Sequence, residues 1–108
     1  MASVRIQVDE FEWDNVNETE CKYHGLNYWR MIEIWANRPL YFPNKESDDG
    51  PARRGTHIMI GPDYGDRFWG VPIVPTSGYG VWRPITGFPA GPNLMTMYED
   101  EMKRLLRW

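Results

Sequence analysis

The apolar pattern changes its period at Arg38-Pro39, and that change constrains the architecture more than any other feature of the chain. Before it, "NYWRMIEIWANR" places Tyr28, Met31, Ile32 and Trp35 at i, i+3, i+4 and i+7, which is one face of a helix, and Asn27 can cap its start. After it, short strand-forming runs alternate with turn residues. "LYFP" and "THIMIG" flank the polar loop "NKESDDGPARRG", "PDYGD" leads into "RFWGVPIV", and "PTSGYG" leads into "VWRPIT". A helix followed by turn-linked strands predicts an α+β domain built on an antiparallel meander.

The two ends fit around that centre. In "SVRIQV" the apolar residues Val4, Ile6 and Val8 alternate with Arg5 and Gln7, as in a half-buried strand. "WDNVNETECKYHG" predicts a first helix capped by Asp14 or Asn15, with acids in its early turns and Gly25 at the left-handed position beyond its end. Asn93 is expected to cap a final helix carrying Leu94, Met97 or Tyr98, Met102 and Leu105 on one side. The predicted order is an N-terminal strand, two short helices, three to four antiparallel strands and a C-terminal helix, in one domain over residues 1–108. Segments 56–60, 68–74 and 81–86 should share one sheet, with all the helices packed on it.

Composition narrows the class of function. A chain of 108 residues with 42% hydrophobic content can bury one core without covalent staples, and its single cysteine, Cys21, cannot form an internal bridge. His24 and His57 with Cys21 fall short of a structural zinc set, so no metal or other cofactor is expected. The alternating N-terminus does not read as a signal peptide, and Gly and Pro break every long uncharged run, so the expected location is cytoplasmic, with no membrane partner. The net charge of -3 is unevenly spread: residues 1–21 carry six acids against Arg5 alone, whereas the basic residues concentrate between 22 and 98. An anionic partner can therefore be met locally.

"FEWDNVNETECKYHGL" resembles the opening of BrnT-like toxins, where a strand ending in aromatic-x-Trp-Asp enters a short helix closed by His-Gly. "RGTHIMIGPDYGDRFWGVPIV" with "WRPITGFPA" is similar to their meander and closing strand. The resemblance implies a RelE-like fold and the toxin of a type II toxin–antitoxin pair, a ribonuclease that inhibits translation and is neutralised by a cognate antitoxin protein. It also exposes departures. Arg83 matches the first arginine of the closing strand, but Gly87 replaces an alanine, Phe88 stands where a second arginine is common, and Glu18 and Glu20 occupy positions that are basic in the family.

Cleaving RNA through its 2′-hydroxyl requires a base for that proton, cations for the charge growing on the phosphoryl oxygens, and an acid for the leaving 5′-oxygen. His24, at the end of the first helix, is the candidate base, or a helix-terminal histidine bonded to backbone. Arg67 and Arg83 begin or occupy neighbouring strands and are expected either to clamp one phosphate or to pair with Asp63, Asp66 or Glu33. Arg53 and Arg54, beside the polar loop, suit RNA backbone contact. Trp82 offers either a stacking face for a base or a core anchor. Such a chain is expected to be a metal-independent endoribonuclease acting on RNA, at the ribosome or free; the alternative is a non-catalytic protein-binding factor, from a phage or mobile element, on the same fold.

Overall fold

The structure is a computed structural model and describes residues 2–44, 55–76 and 78–107. Its elements are β1 (Glu10–Phe11), α1 (Asn15–Tyr23), α2 (Tyr28–Ala36), β2 (Leu40–Pro43), β3 (His57–Pro62), β4 (Phe68–Pro75), β5 (Val81–Pro84), β6 (Phe88–Pro89) and α3 (Pro92–Leu106). The fold is α+β, as the change of period predicts. The strands form one mixed sheet in the order β1-β5-β4-β3-β2, with β6 beside β4 and β1 the parallel member.

Alternation in the central strands splits the core in two. Met59, Trp69, Val71 and Ile73 face α1 and α2, where they pack with Cys21, Leu26, Met31 and Ile34. Ile58 and Ile60 face α3 and pack with Phe42 and Tyr98, flanked by Phe68, Phe88 and Leu94. Strands β3 and β4 are thus buried on both sides, which explains their nearly unbroken apolar runs.

Proline decides where the sheet is interrupted. Pro72 lies mid-strand in β4, and its carbonyl accepts the amide of Ile85, so the side of β4 lacking an N–H faces the β5–β6 connection. There the closing segment leaves the sheet, and "VWRPITGFPA" becomes two short strands rather than one. Pro84 falls just past the end of β1, where its missing donor leaves nothing unpaired, and its carbonyl accepts the side-chain amide of buried Asn17.

Three expectations about elements are corrected. Residues 4–8 are not a paired strand: Val4 bridges Tyr41 of β2 at one edge, while Asp9 and Glu10 donate to Gly80 beside β5 at the other. The segment between crosses the α1–α2 side of the sheet as an extended strap, held by the Trp82 indole on the Gln7 carbonyl at 2.8 Å and the Trp35 indole on the Val8 carbonyl at 2.9 Å. Its alternation arises because only one side meets the core, a condition that a strap shares with a strand. The buried side of α2 is Met31 and Ile34, rotated from the expected stripe, because the Trp35 ring is drawn to the strap. Helix α3 begins at Pro92 after Gly91 with no side-chain cap, so proline's fixed φ starts it in place of Asn93.

Candidate functional site

The two arginines of the meander belong to different neighbourhoods. Arg83 pairs across the sheet with Val74, whereas Arg67 immediately precedes β4. Seven residues of strand, roughly 23 Å, lie between those levels. They do not converge on one phosphate.

Arg83 is a fastening. Its Nη1 donates to Glu12 at 3.0 Å and to Asp14 at 2.7 Å, and its Nη2 reaches the second Asp14 oxygen at 3.2 Å. Asp14 also caps α1, accepting the amides of Val16 and Asn17, while the Asn17 side chain returns the bond to the Asp14 amide. The Arg83 bond, followed by those backbone bonds, lowers the Asp14 carboxyl to about 2. The guanidinium therefore spends its fork on joining β5 to the start of α1. Trp82 beside it is a core residue, 9% exposed, with its ring edge-on to His57, so it offers no free face for a base. Phe88 packs in the α3-side core, where an arginine would be buried. Arg53 and Arg54 lie outside the described residues.

A different cluster forms around Trp69. Its ring is fully buried, with the Arg67 guanidinium carbon 4.7 Å and that of Arg30 5.8 Å from the ring centroid. The indole N–H donates to Asp63 Oδ2 at 3.0 Å, while Asp63 Oδ1 accepts the amides of Gly65 and Arg67 at 2.8 and 3.0 Å. Arg30 Nε stands 3.6 Å from the same carboxylate. Burial pushes the Asp63 carboxyl up, but the Trp69 bond, the two backbone donors and Arg30 together bring it below its ordinary value. Asp63 thus shapes the β3–β4 turn, in which Asp66 takes the left-handed conformation at φ 65.

The end of α1 reaches this cluster. Leu26 donates to the Cys21 carbonyl and Gly25 to that of Lys22, a helix stop that requires the positive φ of Gly25, +87. A Cβ on Gly25 would lie 3.8 Å from Trp69 Cη2, so His24 stands one residue from the six-membered edge of the indole. His24 is half-buried, with its ring edge-on to that of Tyr23 at 5.2 Å. Of the sequence candidates, then, Arg67 lies on this rim and His24 adjoins it through the backbone of Gly25, whereas Arg83 does neither. Arg30, Asp63 and Trp69 complete it; the available signal was the pair Asp63 and Trp69, set six residues apart across a tight turn.

Arg67 is exposed, and among the described residues no carboxylate lies within ion-pair distance of it. A guanidinium stacked on an indole with open N–H edges can receive a phosphate or a carboxylate. Burial pushes the Cys21 thiol up to about 12, which removes it as a nucleophile. Among the described residues no group of three or more potential metal-ligating side chains occurs, and no helix is long and apolar enough to cross a membrane. Compared with known proteins, the chain matches no family model and no curated relative.

Proposed function

We propose that the protein is the toxin of a type II toxin–antitoxin pair, a cytoplasmic, metal-independent endoribonuclease that inhibits translation, with the rim around Trp69 as its RNA-facing surface. The supporting observation is the placing of two arginines, Arg30 and Arg67, over a single indole whose outer edge faces the backbone of Gly25, the residue that follows His24. On this reading His24 accepts the 2′-hydroxyl proton as the 2′-oxygen bonds to phosphorus. The bond to the 5′-oxygen breaks, and that oxygen takes a proton from solvent. Arg67, with Arg30 behind it, donates to the non-bridging oxygens as their charge grows. Arg83 acts at a distance, holding the start of α1 and hence the path that ends at His24. A cognate antitoxin neutralises the protein by covering the rim.

The test is inducible expression in a bacterium with total RNA examined over time. Growth arrest with discrete RNA fragments, lost in His24→Ala and in Arg67→Ala, is expected; intact RNA under full expression overturns the reading. A second reading, a non-catalytic binding factor on the same fold, is favoured by the neutralisation of Arg83 by Glu12 and Asp14. It expects a co-purifying protein partner and no RNA decay.

A further inference from the structure

The surface around the Arg30–Arg67 pair carries two large aromatic rings that the proposed chemistry does not use. Trp29 is 74% exposed and Tyr64 is 66% exposed, in a molecule whose other two indoles nearest the sheet, Trp69 and Trp82, are covered. They are neighbours through Glu33. Trp29 and Arg30 lie one helical turn before Glu33, at i−4 and i−3, and the Glu33 Oε1 accepts the backbone amide of Tyr64 at 2.9 Å. Tyr64 in turn belongs to the β3–β4 turn that ends at Arg67, so the order across the surface is Trp29, Glu33, Tyr64, with Arg30 and Arg67 alongside. Tyr28 supports Trp29 from beneath, edge-on at 5.2 Å, and is itself braced by Trp13 at 5.7 Å.

Charge indicates how a nucleic acid would be held here. Arg30 is offset by Asp63, and the carboxylates of Glu33 and Asp66 stand on the same rim, so this is no polycationic groove of the kind that tracks many phosphates. It offers one open guanidinium, Arg67, bordered by exposed ring faces. Duplex hides its base faces and is gripped chiefly through its phosphates, whereas an unpaired segment presents faces that stack on any aromatic ring.

We infer that Trp29 and Tyr64 are stacking platforms that select a short single-stranded RNA segment, with one phosphate seated at Arg67. The inference rests on the RNA reading above and names the form of RNA and the residues that choose it. Glu33 is a positioning residue, fixing Tyr64 relative to Trp29.

The test measures binding apart from cleavage, by fluorescence anisotropy with a labelled single-stranded octamer carrying 2′-O-methyl groups, which lack the attacking hydroxyl. The full chain should bind it more tightly than the corresponding octamer duplex. Trp29→Ala should weaken binding roughly 5- to 150-fold and Trp29→Phe should retain most of it, because the platform is a ring and not a hydrogen bond. Arg67→Ala should lower the salt dependence of log K by about 0.7, the value of one phosphate on a single strand. Trp29 is on the surface, so an unchanged circular dichroism spectrum and melting midpoint will certify the fold of each variant. Equal affinity for duplex and single strand, unchanged affinity in Trp29→Ala, or no binding at all overturns the inference. Binding of the methylated octamer without cleavage of its 2′-hydroxyl counterpart leaves the inference standing and removes the ribonuclease reading. Cleavage that persists with unchanged affinity in Trp29→Ala does the reverse.

Discussion

Arg83 and Arg67 are the same residue type on adjoining stretches of one meander, and they are put to opposite uses. Arg83 faces two carboxylates of the β1–α1 junction and is consumed by them; Arg67 lies over an indole and keeps its N–H edges open. The difference comes from what precedes each residue in space. Asp14 caps α1 and, with Glu12, lies within reach of the Arg83 guanidinium on β5, whereas Asp63, which bonds the Arg67 backbone amide, already has both oxygens occupied by Trp69, Gly65, that amide and Arg30. A cation becomes available for a ligand when its neighbouring carboxylates have other partners.

The strongest way to break this comparison is to remove the carboxylate that keeps Arg67 open. Asp63→Ala strips the acceptor from a buried indole N–H and from two turn amides, and deprives Arg30 of its counter-charge. A buried donor left unsatisfied costs about 1–3 kcal/mol, so a loss near 3 kcal/mol is expected in denaturant unfolding. A loss below about 1 kcal/mol would mean that the turn holds itself and Asp63 is incidental to the rim.

Arg83→Ala is expected to act next most strongly, on stability and not on RNA or partner binding. It frees two carboxylates that then face each other without a cation, and the thermal midpoint should fall by several degrees. Lysine should restore little, since it cannot span both Asp14 oxygens. Wild-type stability with lost activity would reverse the roles assigned to the two arginines.

Acid titration sharpens the same contrast. Asp14 is held at about 2 against an ordinary 3.8, and Glu101, bonded first by Arg104 and then by Ser3, at about 2 against 4.5. Both shifts are downward, so their contribution to stability is complete above the ordinary values and is lost as pH falls through them toward 2. In Arg83→Ala the Asp14 carboxyl, followed by NMR, should move up toward its ordinary value while Glu101 stays low. The move should be partial, because the backbone donors Val16 and Asn17 remain.

Much of the scaffold was legible because local rules and tertiary packing agree. The cap at Asp14, the stop at Gly25, the cap at Asn27 and the turn-bounded strands of the meander all appear where side-chain chemistry alone puts them. The failures share a cause, a distant partner that sequence does not display. Residues 4–8 alternate like a strand but pair only at Val4, because two indoles from α2 and β5 hold them across the sheet. The candidate site was legible by half. Residue type nominates His24 and Arg67, but it groups Arg83 with Arg67 because adjacency in a meander says nothing about the level at which each side chain stands, and it leaves Trp82 open between stacking and core, which its burial decides. Arg30 could not be assigned at all from its own helix, since what recruits it is the turn at Asp63.

The smallest expected effect is also the most discriminating. Arg67→Ala removes an exposed guanidinium whose contact with the protein is the face of Trp69 at 4.7 Å, and its backbone amide, which does bond Asp63, is untouched. An exposed cation–π contact contributes about 0.5–1 kcal/mol, so unfolding should change by no more than that. If Arg67 is held open for a ligand, activity or RNA binding should nevertheless fall by 10-fold or more, as loss of a charge-assisted donor to phosphate implies. At Arg67 function is then lost with stability kept, whereas at Arg83 stability is lost with binding kept. A stability loss at Arg67 as large as that at Arg83 would show that Trp69 depends on its cation for cover, and the rim would then be part of the scaffold and not a surface kept for a ligand.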